Sequence, residues 1–244
     1  MKINIRDYNN IWFLGDPHIG HDKSFLFEPR GCTNRDEHSE MIIDGINKQA
    51  GENDLILSVG DWCLTTPYTE FIDYMNRINC KNIYSVLGNH DNRFIRLINE
   101  LQQLKRDEDD LPYYIGSPDV YGGVIELYQT KDIRSLGKLE DITIQIPSNE
   151  VGKKDWKYHI TLNHFPMLLW DKSHYCAWNI HGHCHGSLPE SSVDYLDAKR
   201  LDVGVDSALE YSNGEHIMFS WCDIKRIMSY KTVTNLDHHN SKTN

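Results

Sequence analysis

Residues 11–18 read IWFLGDPH. Four apolar residues, aromatic and β-branched among them, are cut off by Gly15 and Pro17. That pattern predicts a short buried strand running into a loop. Two later stretches repeat it: DLILSVGD (54–61) stops at a Gly-Asp, and NIYSVLGNHD (82–91) stops at a Gly-Asn. Helical patterns lie between and after them. EHSEMIIDGINKQA (37–50) carries apolar residues at 41, 42, 43 and 46. TEFIDYMNRI (69–78) places Phe71, Ile72, Met75 and Ile78 on one side, and RFIRLINELQQLK (93–105) does the same with Ile95, Ile98, Leu101 and Leu104. Strand–helix alternation over the first hundred residues predicts a parallel sheet packed by helices. In such sheets ligands collect beyond the carboxyl ends of the strands, where all three runs turn polar.

The second half reads differently. LPYYIG (111–116), GGVIELYQ (122–129), DITIQIP (141–147) and KYHITLNH (157–164) read as short β-type runs, the last two joined by a hairpin loop across 147–156. NIHGH (179–183), RLDVGV (200–205) and EHIMFSW (215–221) add three strands, and DIKRIMSY (223–230) a closing helix. KRDEDD (105–110) reads as a solvated connector. Residues 1–230 are read as one domain and 231–244 as a polar, disordered tail.

Composition narrows the function classes. A chain of 244 residues buries a large core without metal or disulfide staples, so a bound metal would serve chemistry. The net charge is −11, with no Lys/Arg run, which disfavours long duplex nucleic acid and anionic membranes as partners. Six cysteines at irregular spacing, none in a C-x-x-C pair, read as reduced and mostly buried thiols. With no apolar run of transmembrane length and no signal-type N-terminus, the expectation is a soluble, cytoplasmic protein.

The stretch NIHGHCHGS (179–187) sets His181, His183 and His185 two residues apart. A strand would turn all three to one face. Four further blocks supply matching donors: GDPH (Asp16, His18), GDW (Asp61), GNHD (Asn89, His90, Asp91) and NHFP (His164). Carboxylate, amide and imidazole donors together suit Mn, Fe, Zn, Co or Ni. Taken alone, each block has a plainer reading: a turn for Gly-Asp, a turn with a helix N-cap for GNHD, an adventitious metal site for HGHCHG.

The ordered set D-x-H, G-D, G-N-H-D, H, G-H-x-H resembles the calcineurin-like metallophosphoesterase superfamily, and RLDVGVDS resembles the strand that follows G-H-x-H in compact members. The resemblance implies a four-layer α/β/β/α sandwich of two mixed sheets flanked by helices, with metals at the strand ends. It also implies two divalent ions, Mn first among them. Asp16, His18 and His185 would hold one; Asn89, His164 and His183 would hold the other, and Asp61 would bridge. Ions about 3.5–4 Å apart clamp the attacking and leaving oxygens at phosphorus and bring the pKa of a shared water to about 7. In this reading metal-bound hydroxide attacks, His90 protonates the leaving oxygen and Asp91 orients His90. By formal charge two dications, two carboxylates and one hydroxide sum to about +1, a pocket that draws in a small anion. His181 is then a hydrogen-bonding neighbour of the site, while His21 and Arg93 are candidates to touch substrate. Trp62, Trp170 and Trp178 read as core, and Cys184 as a packed residue rather than a ligand.

The activity expected is hydrolysis of a small, nucleotide-type phosphodiester. The alternatives are a nuclease on single-stranded nucleic acid, a phosphomonoesterase, a protein phosphatase, and a binding module that has lost catalysis. Filled ligand positions and the presence of His90 weigh against the last.

Overall fold

The computed structural model describes residues 1–106, 118–150, 152–188 and 198–233. LPYYIG, most of the KRDEDD connector and the tail from residue 234 lie outside the described residues.

Two five-stranded mixed sheets form the centre. In the first the order is β10-β2-β3-β4-β5, from strands Phe219–Ser220, Ile11–Leu14, Leu55–Ser58, Asn82–Ser85 and Asp132–Ser135. Strands β2 to β5 are parallel and β10 runs antiparallel on the β2 edge. In the second the order is β1-β6-β7-β8-β9, from Lys2–Asn4, Leu139–Ile146, Trp156–Asn163, Trp178–His181 and Arg200–Asp202. Strands β6 and β7 form the expected antiparallel hairpin, while β7, β8 and β9 are parallel.

Seven α-helices flank the sheets among the described residues: α1 (Ser24–Phe27), α2 (Arg35–Gln49), α3 (Tyr68–Arg77), α4 (Asn92–Arg106), α5 (Pro118–Thr130), α6 (Val205–Tyr211) and α7 (Trp221–Tyr230). None is long and apolar enough to cross a membrane.

Side-chain alternation explains the layering. Phe13, Leu55, Leu57 and Tyr84 of the first sheet face Ile142, Ile144, Ile160, Leu162 and Ile180 of the second, and together they form the core between the sheets. On the other face of the first sheet, Leu14, Ile56 and Ile83 pack against helices α2 to α5. Each such side chain contributes about 1.5–3 kcal/mol when fully buried. The outer face of the second sheet is polar: Thr161 and Asn179 are buried there beneath the segment after β7, Asn179 accepting from Met167 N (3.2 Å). That segment carries one 3-10 turn, Ser173–Tyr175.

Three expectations need correction. GGVIELYQ is not a strand; it lies in helix α5, where Val120, Val124 and Leu127 recur at i, i+4 and i+7 and are all buried. The paired glycines hid this: a Cβ on Gly123 would lie 2.6 Å from Ile72 Cγ2, so glycine permits close approach of α5 to α3. In α4 the buried stripe runs through Phe94, Leu97, Ile98, Leu101 and Leu104, and Ile95 lies largely in solvent. Of the six free cysteines, three are buried (Cys32, Cys63, Cys80), Cys184 is half-buried, and Cys176 and Cys222 are exposed.

Candidate metal centre

The carboxyl ends of β2, β3, β4, β7 and β8 meet at one end of the sandwich, where the two sheets are joined by a parallel bridge between Gly15 and Gly204. Beyond β2 and β3 the chain keeps pairing through its loops: Asp16 N donates to Gly60 O (3.0 Å) and His18 N to Asp61 O (3.0 Å). The loops therefore emerge side by side with their polar residues in fixed places.

Two clusters of donors result. Asp16, His18 and His185 bring ligand atoms within 4.8 Å of one another, and Asp61, His164 and His183 do the same. Asn89 joins the second cluster, its Oδ1 lying 2.9 Å from His164 Nε2. Asp61 Oδ2 lies between the clusters, 3.8 Å from His18 Nε2 and 3.3 Å from His164 Nε2.

Tautomers are set by partners behind the rings. His164 Nδ1–H donates to Val59 O (2.9 Å), which turns Nε2 toward Asp61 and Asn89. His185 Nδ1–H donates to Asp206 Oδ2 (2.7 Å), which frees its Nε2.

The site is buried on the Asp16 side. Burial pushes the Asp16 carboxyl up to about 7, against the pull of the His185 and His164 charges. Burial holds His18 well below the ordinary histidine value, so its ring is neutral. Burial also acts on Asp61, but the hydrogen bond and charge of His164 outweigh it and the net shift is downward. Asp16 Oδ1 is buried without a hydrogen-bond partner. A buried carboxylate oxygen left without a hydrogen bond is costly unless a cation completes it. The donors thus fit divalent cations of the O/N-preferring kind.

Backbone strain collects at the same place. Asp16, His18, Asp61, His183 and His185 all have positive φ, between 46° and 68°. Such conformations cost about 1–3 kcal/mol each and persist where surrounding structure dictates them. They also correct the reading of NIHGHCHGS. Strand β8 ends at His181, and His183 and His185 lie in the loop beyond it, so the period-two rule stops applying. His183 joins one cluster and His185 the other. His181 is buried, its Nδ1 3.1 Å from Gly182 O, and it lines a separate cleft with Arg200 and Asp202.

The remaining residues singled out in the sequence fall as follows. His90 is half-buried, its ring 6.0 Å from that of His18, and its backbone N–H donates to Asp61 Oδ1 (2.8 Å). Asp91 accepts from three backbone amides, Asp61 N (2.9 Å), Trp62 N (2.7 Å) and Gly88 N (2.7 Å). Its carboxylate thus ties the Gly-Asp loop to the Gly-Asn loop, and burial raises its pKa. His21 is buried beside His18, with 5.8 Å between ring centroids, and its Nδ1 accepts from Lys23 N (3.1 Å). Arg93 donates to Thr66 O (3.0 Å) and is half-buried. Trp62, Trp170 and Trp178 are core residues; Trp62 stacks on Phe94 and donates to Ser85 Oγ (3.0 Å). Cys184 is in neither donor cluster.

Four residues near the centre went unremarked as site residues in the sequence: Arg30, His38, Asp202 and Asp206. Asp202 accepts from Gly204 N (2.8 Å) and Gly186 N (3.1 Å) and so ties the far end of the histidine loop to the turn after β9. Arg30 donates Nε and Nη2 to the two oxygens of Asp206 (2.9 and 2.7 Å). The only hint was RLDVGVDS, which contains both aspartates.

The family model described as calcineurin-like phosphoesterase matches residues 10–205. The chain belongs to that family. Membership implies a metal-dependent phosphoric ester hydrolase, and the two donor clusters are where such a phosphoesterase would hold divalent metal. No curated protein matches the chain with significance. Among solved structures, the protein of unknown function AQ665 from Aquifex aeolicus is similar at 14% identity and a TM-score of 0.50, over 89% of this chain and 98% of that one. At that identity the likeness concerns the fold.

Proposed function

We propose that the protein hydrolyses a small phosphodiester of nucleotide type with two divalent cations, Mn²⁺ first among them. Asp16, His18 and His185 would hold one cation, and Asn89, His164 and His183 the other. The observation that carries this reading is the place of Asp61 Oδ2, within 3.8 Å of His18 Nε2 and 3.3 Å of His164 Nε2, where a carboxylate can serve both clusters.

When bound, such ions supply Lewis acidity toward phosphoryl oxygens and hydroxide near neutral pH. The chain supplies the rest. The His90 amide holds Asp61 Oδ1, which leaves Oδ2 to face the two clusters. In this reading the His90 ring gives a proton to the departing alcohol, a role supported by its half-buried position 6.0 Å from the His18 ring. Proton donation of this kind is worth about 10²–10⁴ in rate. The net charge of −11 repels long polyanions while the cations draw in a compact one, which supports a small ester over duplex nucleic acid. Free cysteines throughout support a reducing, cytoplasmic setting.

Turnover of bis-p-nitrophenyl phosphate with added manganese tests this, in the wild type and in Asp61→Asn. The variant should fall to background with its fold intact by circular dichroism. An Asp61→Asn protein that keeps the manganese-dependent rate would overturn the mechanism.

One observation favours a second reading, cleavage of single strands. Phe165 is 47% exposed and its ring lies 4.4 Å from that of His183, a platform on which an unpaired base can stack. Digestion of labelled single-stranded oligonucleotides decides between the two.

A further inference from the structure

The two donor clusters differ in what stands behind their ligands, and the difference is a buried arginine. Arg30, in the loop after α1, has a fully buried side chain. Its fork grips Asp206 through Nε (2.9 Å) and Nη2 (2.7 Å), and Asp206 Oδ2 in turn receives His185 Nδ1–H (2.7 Å). The same guanidinium donates to Asp16 O (2.9 Å) and Pro17 O (3.3 Å), the backbone that presents Asp16 and His18. Its remaining contacts are with two rings, His185 Nδ1 at 3.5 Å and His38 Nε2 (2.9 Å), the latter accepting because guanidinium only donates. Burial and the Arg30 charge push His38 down to about 3, so a neutral ring is available to accept.

One side chain therefore holds the three ligands of the first cluster: His185 through Asp206, and Asp16 and His18 through the loop carbonyls. The second cluster has no equivalent among the described residues. His164 is oriented by one carbonyl, Val59 O (2.9 Å). His183 and Asn89 are exposed, and the contact between His183 Nδ1 and His164 Nε2 (3.2 Å) is with a fellow ligand.

We propose that Arg30 is a positioning residue that makes the Asp16–His18–His185 cluster the tighter cation site, so that the two clusters fill in order, this one first. Pre-set ligands lose less freedom on binding, and partners behind metal ligands typically contribute about 10–100-fold in affinity. The inference rests on the clusters being cation sites, as in the proposed function, but not on any reaction.

Its test uses Mn²⁺ alone. The full chain, stripped with chelator, is titrated calorimetrically, with electron paramagnetic resonance reporting free manganese. The wild type should show two steps. Arg30→Met should weaken the tighter step by about 10–100-fold and leave the weaker within threefold, with Arg30→Lys intermediate. His183→Ala should abolish the weaker step and spare the tighter. An arginine needed only for folding would lower Tm and move both steps alike. If Arg30→Met fails to fold, Asp206→Asn carries the same expectation, since it breaks the fork but keeps the volume. The proposal is overturned if the folded variant binds in two unchanged steps, if both steps weaken equally, or if His183→Ala removes the tighter step. No manganese uptake by the wild type would overturn this proposal and the proposed function together. Ordered uptake without hydrolysis of any ester would overturn only the function.

Discussion

The two sheets bring their ligands to the same centre by different means. On the first sheet, the loops that carry Asp16, His18 and Asp61 pair main chain with main chain. Asp16 N and His18 N pair with the neighbouring loop, and Asp91 gathers three amides from two loops. On the second sheet, His183 and His185 lie in a loop held by carboxylates, Asp202 at Gly186, Asp206 behind His185 and Asp16 Oδ2 on His183 N (2.8 Å). A main-chain lattice has no slack, so it tolerates few changes and fails abruptly. A loop held by side chains loosens by degrees.

The difference is sharpest at Gly88. A Cβ there would lie 2.0 Å from Asp61 Oδ1 and 2.7 Å from Asp61 N, so backbone or the shared carboxylate must move. Gly88→Ala should cost about 1–3 kcal/mol of stability. It should also lower the manganese-dependent rate by at least about 100-fold, since misplacement by an ångström can cost that much. Thermal melts and rates on bis-p-nitrophenyl phosphate check both. A variant with near wild-type activity would show that the first-sheet loops have slack after all.

The contrast also explains what could be read in advance. In the first sheet β2, β3 and β4 announce themselves because their mostly apolar runs end in Gly-Asp or Gly-Asn, whereas β5 (DIRS) and β10 (FS) carry no such mark. The ligands are those ending residues, so strand and site are legible together. In the second sheet β6 and β7 alternate and are legible as strands, but the histidine loop is not. Period two carries through His181 and then gives way to left-handed residues that no local pattern marks. Arg30 and Asp206 are 176 residues apart in the chain and meet only through the fold. An arginine in RGC and an aspartate in VDS carry no local sign of each other. Helix α5 was hidden for a related reason: Gly123 serves contact with α3, and glycine on its own counts against a helix.

Asp91 tests the main-chain lattice by removing one acceptor without adding bulk. The family resemblance gives it the task of orienting His90, whereas its carboxylate bonds run to three amides. Asp91→Asn turns one acceptor into a donor facing N–H groups. That should cost about 1–3 kcal/mol, a fall in Tm of roughly 3–10 °C for a chain of this size, with activity falling about tenfold. A cycle with His90→Gln separates the two tasks. Equal rate losses from Asp91→Asn with and without His90 mean that it acts on the loops. A loss that vanishes once His90 is gone, with Tm unchanged, would restore the orienting role.

The smallest effect belongs to the loop held by side chains. Asp202 accepts from Gly204 N with one oxygen and from Gly186 N with the other, so Asp202→Asn keeps one bond and spoils one. The loop can adjust, and Gly186 borders solvent, which limits the penalty of its freed amide. The expected cost is about 1 kcal/mol, or a Tm lower by about 3 °C, with manganese affinity at the His185 cluster weakened about threefold and the rate at saturating metal nearly unchanged. Rate against manganese concentration reads this directly: the curve should shift to higher metal and keep its plateau. A lowered plateau at every concentration would mean that Asp202 helps to shape the reacting geometry itself, and the loop would then be as unforgiving as the lattice it faces.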